Sequence, residues 1–215
     1  MDTAGLPRHL QNMRTSFVKA QAQFPMEDKF PPTLAPEDGP IIAQLNMYYI
    51  SYYVTERVFV KRQPHQDEMG LDVHGSPVVV SYVADRLRNE AAVLDFVAAQ
   101  TKIPVPKLLR VWEQNGLVHL KTEFIGHGVG LDDIGKADLP KALEVVSAQL
   151  RQDILPQLDR IPHQPRMGSP DATLPLIPPH WMWDCKENRG AVCRSQDVCT
   201  QSTDEVGISC ILRLD

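Results

Sequence analysis

Two residues of opposite charge, Lys61 and Glu90, are of the types that form a phosphate-binding pair, in which the lysine contacts the phosphate and the glutamate holds the lysine. Lys61 is in the segment ERVFVKR, whose apolar residues and alternation are typical of a β-strand. Glu90 is in SYVADRLRNEAAVLDFVAAQT, whose apolar residues recur at helical spacing. A lysine that a glutamate holds in place neutralises the oxygens of nucleotide phosphates. The strand and the helix must bring the two side chains together for this chemistry.

The strand alone leaves two interpretations of Lys61. Alternation places Phe59 and Lys61 on one face of the strand and Val58 and Val60 on the other. Lys61 is then either an edge or solvent-facing lysine, or a lysine in a cleft that neutralises phosphate oxygens. The strand by itself favours the first interpretation.

The helix leaves two interpretations of Glu90. Glu90 follows Leu87 by three residues and precedes Leu94 by four, so it projects from the apolar stripe of the helix. An inward carboxylate needs a cationic partner, because an unpaired buried charge is costly. That partner is either Lys61 or Arg86, which lies one turn earlier on the same helix.

The segments around these two residues predict an antiparallel sheet. We interpret IIAQLNMYYISYYVTERVFVKRQ as two strands that turn near Thr55–Arg57. After the helix, the prolines of IPVP force an extended chain. KLLRVWE and LVHLKTEFI then predict a hairpin across Gln114, Asn115 and Gly116, since Asn-Gly is a strong turn signal.

The flanking regions predict helices, a connector and a tail. RHLQNMRTSFVKAQAQF predicts a short helix, and the prolines of FPPTLAPEDGP predict an extended, non-helical connector. A second helical region is predicted from an apolar stripe, with a kink or a restart at Pro156. The final segment is predicted to be irregular, with ISCIL as a short strand. The stripe consists of Leu139, Leu143, Val146, Leu150, Ile154 and Leu158.

Composition excludes some partners and sets the expected compartment. The chain has 215 residues and a net charge of −5 without a basic run, so we expect no nucleic-acid partner. No N-terminal targeting signal and no apolar stretch of membrane-spanning length is evident, so we expect no membrane association and a cytoplasmic location. The four cysteines lie near the C-terminus without a C-x-x-C, which favours free thiols over a zinc site.

Taken in order, these segments resemble the small lobe of the aminoglycoside phosphotransferase and choline-kinase-like enzymes, particularly the large fungal set of that superfamily. The resemblance covers roughly residues 45–180. IPVP after a glutamate-bearing helix is its most specific single piece, and the co-linear order is stronger than any one piece. The matching segments are FVK, RNEAAVLDFVAAQTKIPVPKLL, LVHLKTEFIGHGVGLDDI, AQLRQDILPQLDRI and MGSPDATLPLIPP.

The resemblance implies an α+β fold. It implies a protein-kinase-like small lobe, built from an antiparallel sheet and one helix, which is followed by the first helices of a larger helical lobe. The chain then divides into an N-terminal extension (1–40), the small lobe (41–125), the start of the helical lobe (126–180) and an irregular tail (181–215).

The resemblance also implies roles for five residues. Lys61 would reach the α- and β-phosphates of ATP, and Glu90 would orient it through an ion pair. Glu123, Phe124 and Ile125 would form the hinge, where backbone groups meet the edge of the adenine. The family uses ATP with Mg²⁺ and transfers phosphate to a hydroxyl of a small-molecule substrate.

The catalytic motif of the family is missing from the sequence, and so is a Gly-rich phosphate loop before Lys61. The family needs a His-x-Asp with an asparagine five residues after the aspartate, and then an aspartate that holds Mg²⁺. No such motif follows Gly126. We therefore expect a chain that lacks the catalytic half, with no catalytic and no metal-binding residues.

Three hypotheses about function follow. The first is a truncated member of the phosphotransferase family that transfers no phosphate by itself. The second is a non-catalytic, pseudokinase-like module that binds nucleotide or regulates another protein. The third is an unrelated α+β domain with an exposed Lys61 and with Glu90 paired to Arg86. The distance between Lys61 and Glu90 separates the third hypothesis from the other two.

Overall fold

The computed structural model describes residues 6–23, 26–47, 49–71, 74–126, 134–162 and 169–175. The chain forms two compact units, residues 1–160 and 161–215. In the second unit, the described part is a turn in which the Asp171 carboxylate accepts hydrogen bonds from the backbone N–H and the hydroxyl of Thr173, at 2.8 and 2.7 Å. The tail 181–215, with its cysteines and the predicted ISCIL strand, lies outside the described residues.

A five-stranded antiparallel sheet with helices forms the first unit, so the predicted α+β class is confirmed. The strand order across the sheet is β1-β2-β3-β5-β4, which places β3 in the centre. The strands are β1 (Ala43–Met47), β2 (Ile50–Val54), β3 (Val58–Arg62), β4 (Leu108–Gln114) and β5 (Leu117–Glu123).

The strand connections agree with the sequence at two turns and differ at one. The predicted Asn-Gly hairpin is confirmed, since Asn115 and Gly116 have φ of 54° and 72° between the paired Gln114 and Leu117. The turn between β2 and β3 is confirmed as well. The segment before this second turn was predicted as one strand. It forms two strands, β1 and β2, and the chain reverses between the paired residues Met47 and Ile50.

Helix α2 (Val83–Gln100) covers one face of the sheet, as its apolar stripe predicts. Leu87 and Ala91 are buried against Val118 and Leu120 of β5. We call this side the helix face. Burial of these aliphatic side chains fixes the position of α2 over β5.

Helix α1 (Arg8–Gln23) lies at one end of the sheet, and its prediction is confirmed. Its Leu10 is buried in a cluster with Ala43 of β1 and Val54 of β2. The Gln21 side-chain amide also bonds to both backbone groups of Asn46 on the edge strand β1, at 2.7 and 3.2 Å. These bonds occupy the outward N–H and C=O groups of Asn46, which could otherwise pair with another strand.

The chain between α1 and β1 contains the predicted proline-rich segment, and we call its residues 26–42 the connector. The connector packs on the opposite face of the sheet. It is extended, as predicted, apart from one 3₁₀ turn at Pro36–Asp38. Leu34 and Ile41 pack against a buried cluster of Tyr53, Val58 and Val60. The connector therefore supplies part of the core on what we call the connector face.

The second helical region begins at α3 (Leu139–Gln149) and ends at α4 (Leu155–Asp159). A π-helical segment, Leu150–Ile154, joins them just before Pro156. Proline has no N–H to donate and its ring clashes with the preceding turn, so the wider π-turn accommodates it. The predicted kink or restart at Pro156 coincides with this change from π-helix to α-helix. Several residues of the predicted apolar stripe are exposed, among them Leu143, Val146, Leu150 and Leu158.

Candidate functional site

The Lys61 ammonium and the Glu90 carboxylate form an ion pair on the helix face. Lys61 Nζ lies 2.6 Å from Glu90 Oε1. The side chains are 25% and 36% exposed, so a ligand in solution can reach both. Lys61 is therefore the ion-pair partner of Glu90. The hypothesis of an unrelated α+β domain required Lys61 and Glu90 to lie apart, and they do not.

The sheet and α2 position this pair from two sides. Lys61 lies on the central strand, between Tyr52 of β2 and Leu120 of β5. Leu87 is fully buried one turn before Glu90 and anchors α2 on the sheet. A charged pair that is held between a strand and a packed helix is oriented without the flexibility of two surface side chains.

Tyr52 is a neighbour of the pair that no sequence pattern indicated. Burial raises the pKa of Tyr52, and the charges of Tyr49 and Glu90 raise it further. Its ring lies 5.8 Å from the ring of Phe59 on β3. The ion pair therefore has aromatic side chains beside it on β2 and β3, and strand pairing was the only signal that could have placed Tyr52 there.

The predicted hinge follows directly on β5, but part of its hydrogen-bonding capacity is already used. The Glu123 N–H donates to the Lys107 carbonyl at 2.9 Å, and the Phe124 N–H donates to the Arg57 carbonyl at 2.8 Å. Ile125 is 58% exposed, and within the described residues its N–H has no partner. Of the three predicted positions, Ile125 alone offers a backbone donor to a ligand.

A buried charged network on the connector face was missed from the sequence. The Arg62 guanidinium donates to both carboxylate oxygens of Glu68, at 2.9 and 3.0 Å. It also donates to Tyr53, to Ser51 and to Asp28 of the connector. The side chains of Arg62 and Glu68 are 0% and 1% exposed. The alternation Val58, Val60, Arg62 was the available signal, since it places Arg62 on the inward face.

Glu68 is the central acceptor of this network. Besides Arg62, it accepts hydrogen bonds from the backbone N–H groups of Lys29, Phe30 and His65, at 2.8, 3.2 and 2.8 Å. Burial alone would raise the pKa of Glu68, but the hydrogen bonds from Arg62 and from these N–H groups lower it. Glu68 is therefore a charged structural residue that ties the connector to the sheet.

A second ion pair also ties the connector to the sheet. Lys121 of β5 donates to both carboxylate oxygens of Asp38, at 3.0 and 2.9 Å. The side chains are 15% and 6% exposed. The charged pairs of the connector face are thus more buried than the Lys61–Glu90 pair, which keeps its solvent access.

His119 of β5 is buried on the connector face as a neutral imidazole. Its Nδ1 lies 2.9 Å from the Leu117 carbonyl, and its ring stacks on Trp112 at 4.7 Å. Its Nε2 is buried and has no hydrogen-bond partner within the described residues. Burial lowers the pKa of His119 to about 4, and the nearby charge of Arg62 adds to this. Protonation therefore opposes folding.

We expect this histidine to make the protein sensitive to mild acid. Between pH 6.5 and 4 the unfolded chain binds a proton at His119 and the folded chain does not, so stability falls as the pH falls. From pH 7 to pH 5 the loss from this group is about 2 kcal/mol. His119→Phe keeps the ring stack and removes the titration. Urea unfolding at both pH values should show a smaller loss in the variant, and an equal loss would contradict the assignment.

Comparisons with known proteins add no family assignment. No protein-family model and no curated protein matches the chain.

Within the described residues, no three His, Cys, Asp or Glu side chains are grouped so that they could hold a metal ion. A search of the same residues for a helix long and apolar enough to span a membrane found none.

Proposed function

We propose that the sheet and α2 form a nucleotide-binding small lobe of the protein-kinase-like, aminoglycoside-phosphotransferase type. In this proposal the Lys61 ammonium contacts the α- and β-phosphates of ATP, and Glu90 holds the ammonium in place. The observation that carries the proposal is the 2.6 Å ion pair between a lysine on the central strand and a glutamate on the covering helix.

Two further features support a phosphate ligand at this position. The pair is partly exposed, whereas the charged network around Arg62 is closed to solvent. Lys61 also has a single carboxylate partner, since no second acceptor for its ammonium is found within the described residues. A lysine ammonium has three N–H donors, so donors remain for phosphate oxygens.

The proposed role of this chain is binding without transfer of phosphate. Phosphoryl transfer depends on carboxylates that hold metal and on a group that positions the attacking hydroxyl. The sequence after Gly126 has no His-x-Asp-x-x-x-x-Asn motif to supply these groups. The ancestral reaction in this proposal is ATP-dependent phosphorylation of a small-molecule hydroxyl, and Lys61 and Glu90 supply the phosphate-binding pair of that site.

Titration with ATP and Mg²⁺ tests the proposal. Calorimetry should show binding to the wild-type protein, and Lys61→Ala should weaken it about tenfold to a hundredfold, because charge-assisted hydrogen bonds to phosphate are lost. Glu90→Gln should weaken it less, since Gln keeps the shape and loses the charge that orients Lys61. The matched control is Lys102→Ala, which removes an exposed lysine and should change nothing.

Two outcomes of this titration would contradict the proposal. Equal ATP affinity of the wild type and Lys61→Ala would remove Lys61 from the site. Phosphorylation of amino alcohols or aminoglycosides that requires Mg²⁺ and disappears in Lys61→Ala would overturn the statement that the chain binds without transfer.

A further inference from the structure

Helix α1 lies on the part of the sheet that separates Lys61 from the hinge. Phe59 is two residues before Lys61 on β3 and shares its face, and it pairs with Thr122 next to Glu123. A nucleotide with its phosphates at Lys61 and its base at the hinge must therefore cross Phe59. This part of the sheet is the base subsite, which we define by Val54, Phe59 and Phe124.

The base subsite is filled by side chains of α1. Val54 is fully buried in a cluster with Leu10 of α1, and Phe59 and Phe124 pack against that cluster. The His9 ring stacks on Phe124 with ring centroids 6.1 Å apart.

The end of the hinge is crowded by the same helix. A Cβ built on Gly126 would lie 3.3 Å from His9 Nε2, so α1 approaches the chain closely just after Ile125. At the other end of the subsite, the ring centroid of Phe17 of α1 lies 6.3 Å from that of Tyr52, which pairs with Lys61 across the strands. The apolar wall that would receive a purine is thus already covered from the hinge to the ion pair.

We infer that α1 is an autoinhibitory helix, which covers the base subsite and leaves the phosphate-binding pair accessible. This inference rests on the function proposed above. The closed form binds phosphate groups at Lys61 but gains nothing from a base, and a base binds only when α1 moves away. The affinity for a nucleotide is then reduced by the fraction of molecules in the open form.

Two contacts of α1 can be removed without touching its buried core. The Gln21 side chain bonds to the backbone of Asn46 at 2.7 and 3.2 Å, and His9 stacks on Phe124. The double variant His9→Ala/Gln21→Ala keeps the buried Leu10 and removes contacts that attach α1 to the rest of the chain near both ends of the helix. The control is Gln23→Ala, which removes an exposed glutamine of the same helix.

Affinities for ATP and for inorganic tripolyphosphate separate the base from the phosphates. In the wild type the two ligands should bind equally within about twofold. In the double variant ATP should bind about tenfold more tightly than in the wild type, because the lost contacts no longer hold α1 closed. The affinity for tripolyphosphate should stay unchanged in the variant, and Gln23→Ala should behave like the wild type.

The same data separate failure of this inference from failure of the proposed function. If the wild type binds ATP at least tenfold more tightly than tripolyphosphate, or if the double variant gains no ATP affinity, then α1 does not gate the base subsite. If neither ligand shows binding that depends on Lys61, in the wild type or in the double variant, the proposed function is wrong. The inference about α1, which rests on that function, is then wrong as well.

Discussion

Glu68→Gln is expected to destabilise the folded protein by about 3–5 kcal/mol, because it removes the carboxylate that pairs most closely with the buried Arg62 guanidinium and leaves only the longer contact with Asp28, at 3.2 Å. Arg62 and Glu68 are almost completely inaccessible and share two hydrogen bonds. The amide introduced at position 68 would also place its NH2 group against the guanidinium and the backbone N–H groups. These groups are donors themselves and need an acceptor. Urea unfolding followed by circular dichroism measures the loss.

The matched control for this change is Glu27→Gln on the nearby connector. The Glu27 side chain is 81% exposed, and its nearest cation, Lys29, is 3.8 Å away. Its substitution should alter stability by no more than about 0.5 kcal/mol. The double variant Arg62→Met/Glu68→Gln should lose less than the sum of its single changes, since the guanidinium and the carboxylate that pair with each other are removed together. A loss below 1 kcal/mol for Glu68→Gln would contradict the structural role of this network.

Leu87→Ala is expected to cost about 2–5 kcal/mol, because it opens a cavity between α2 and the sheet. Leu87 is fully buried and packs with Ala91, Val118 and Leu120. The same change should weaken ATP binding, since Glu90 depends on the position of α2. Urea unfolding and an ATP titration well below the unfolding midpoint measure the two effects separately.

Val93→Ala provides the comparison within the same helix. Val93 is 43% exposed, so its substitution removes little buried surface and should change stability by at most about 0.5 kcal/mol. ATP affinity should equal that of the wild type. If Leu87→Ala were as stable as Val93→Ala, the packing of α2 on the sheet would be wrong.

Local sequence patterns predicted much of the α+β fold. The Asn-Gly turn, the strand alternation of VFVKR and the helical spacing around Leu87 each depend on neighbours within a few residues, and all three are confirmed. The reversal between Met47 and Ile50 was missed, because the segment has no turn residue such as Gly, Pro or Asp at that point.

Long-range contacts could not be predicted in the same way. The network of Asp28, Arg62 and Glu68 joins three segments, and no local pattern brings them together. The position of α1 was likewise open, since an amphipathic helix reveals which face it buries but not the surface it covers.

The candidate site was predicted in part. Lys61 and Glu90 were selected as residues, and each had a competing local explanation that only the 2.6 Å distance resolved. The hinge role of Glu123, Phe124 and Ile125 came from the resemblance and stays a prediction. The backbone partners of Glu123 and Phe124 could not be read from the sequence, because Lys107 and Arg57 are distant along the chain.

Covalent labelling with an acyl phosphate of ATP tests the central claim most directly, because this reagent acylates the lysine that lies against the bound phosphates. Peptide mass spectrometry should identify Lys61 as the preferred site, and an excess of tripolyphosphate should protect it. Labelling at Lys102 and Lys107, which are exposed, should be slow and unaffected by the competitor. If Lys61 were labelled no faster than these lysines, with no protection by tripolyphosphate, then Lys61 would not be a phosphate-binding residue.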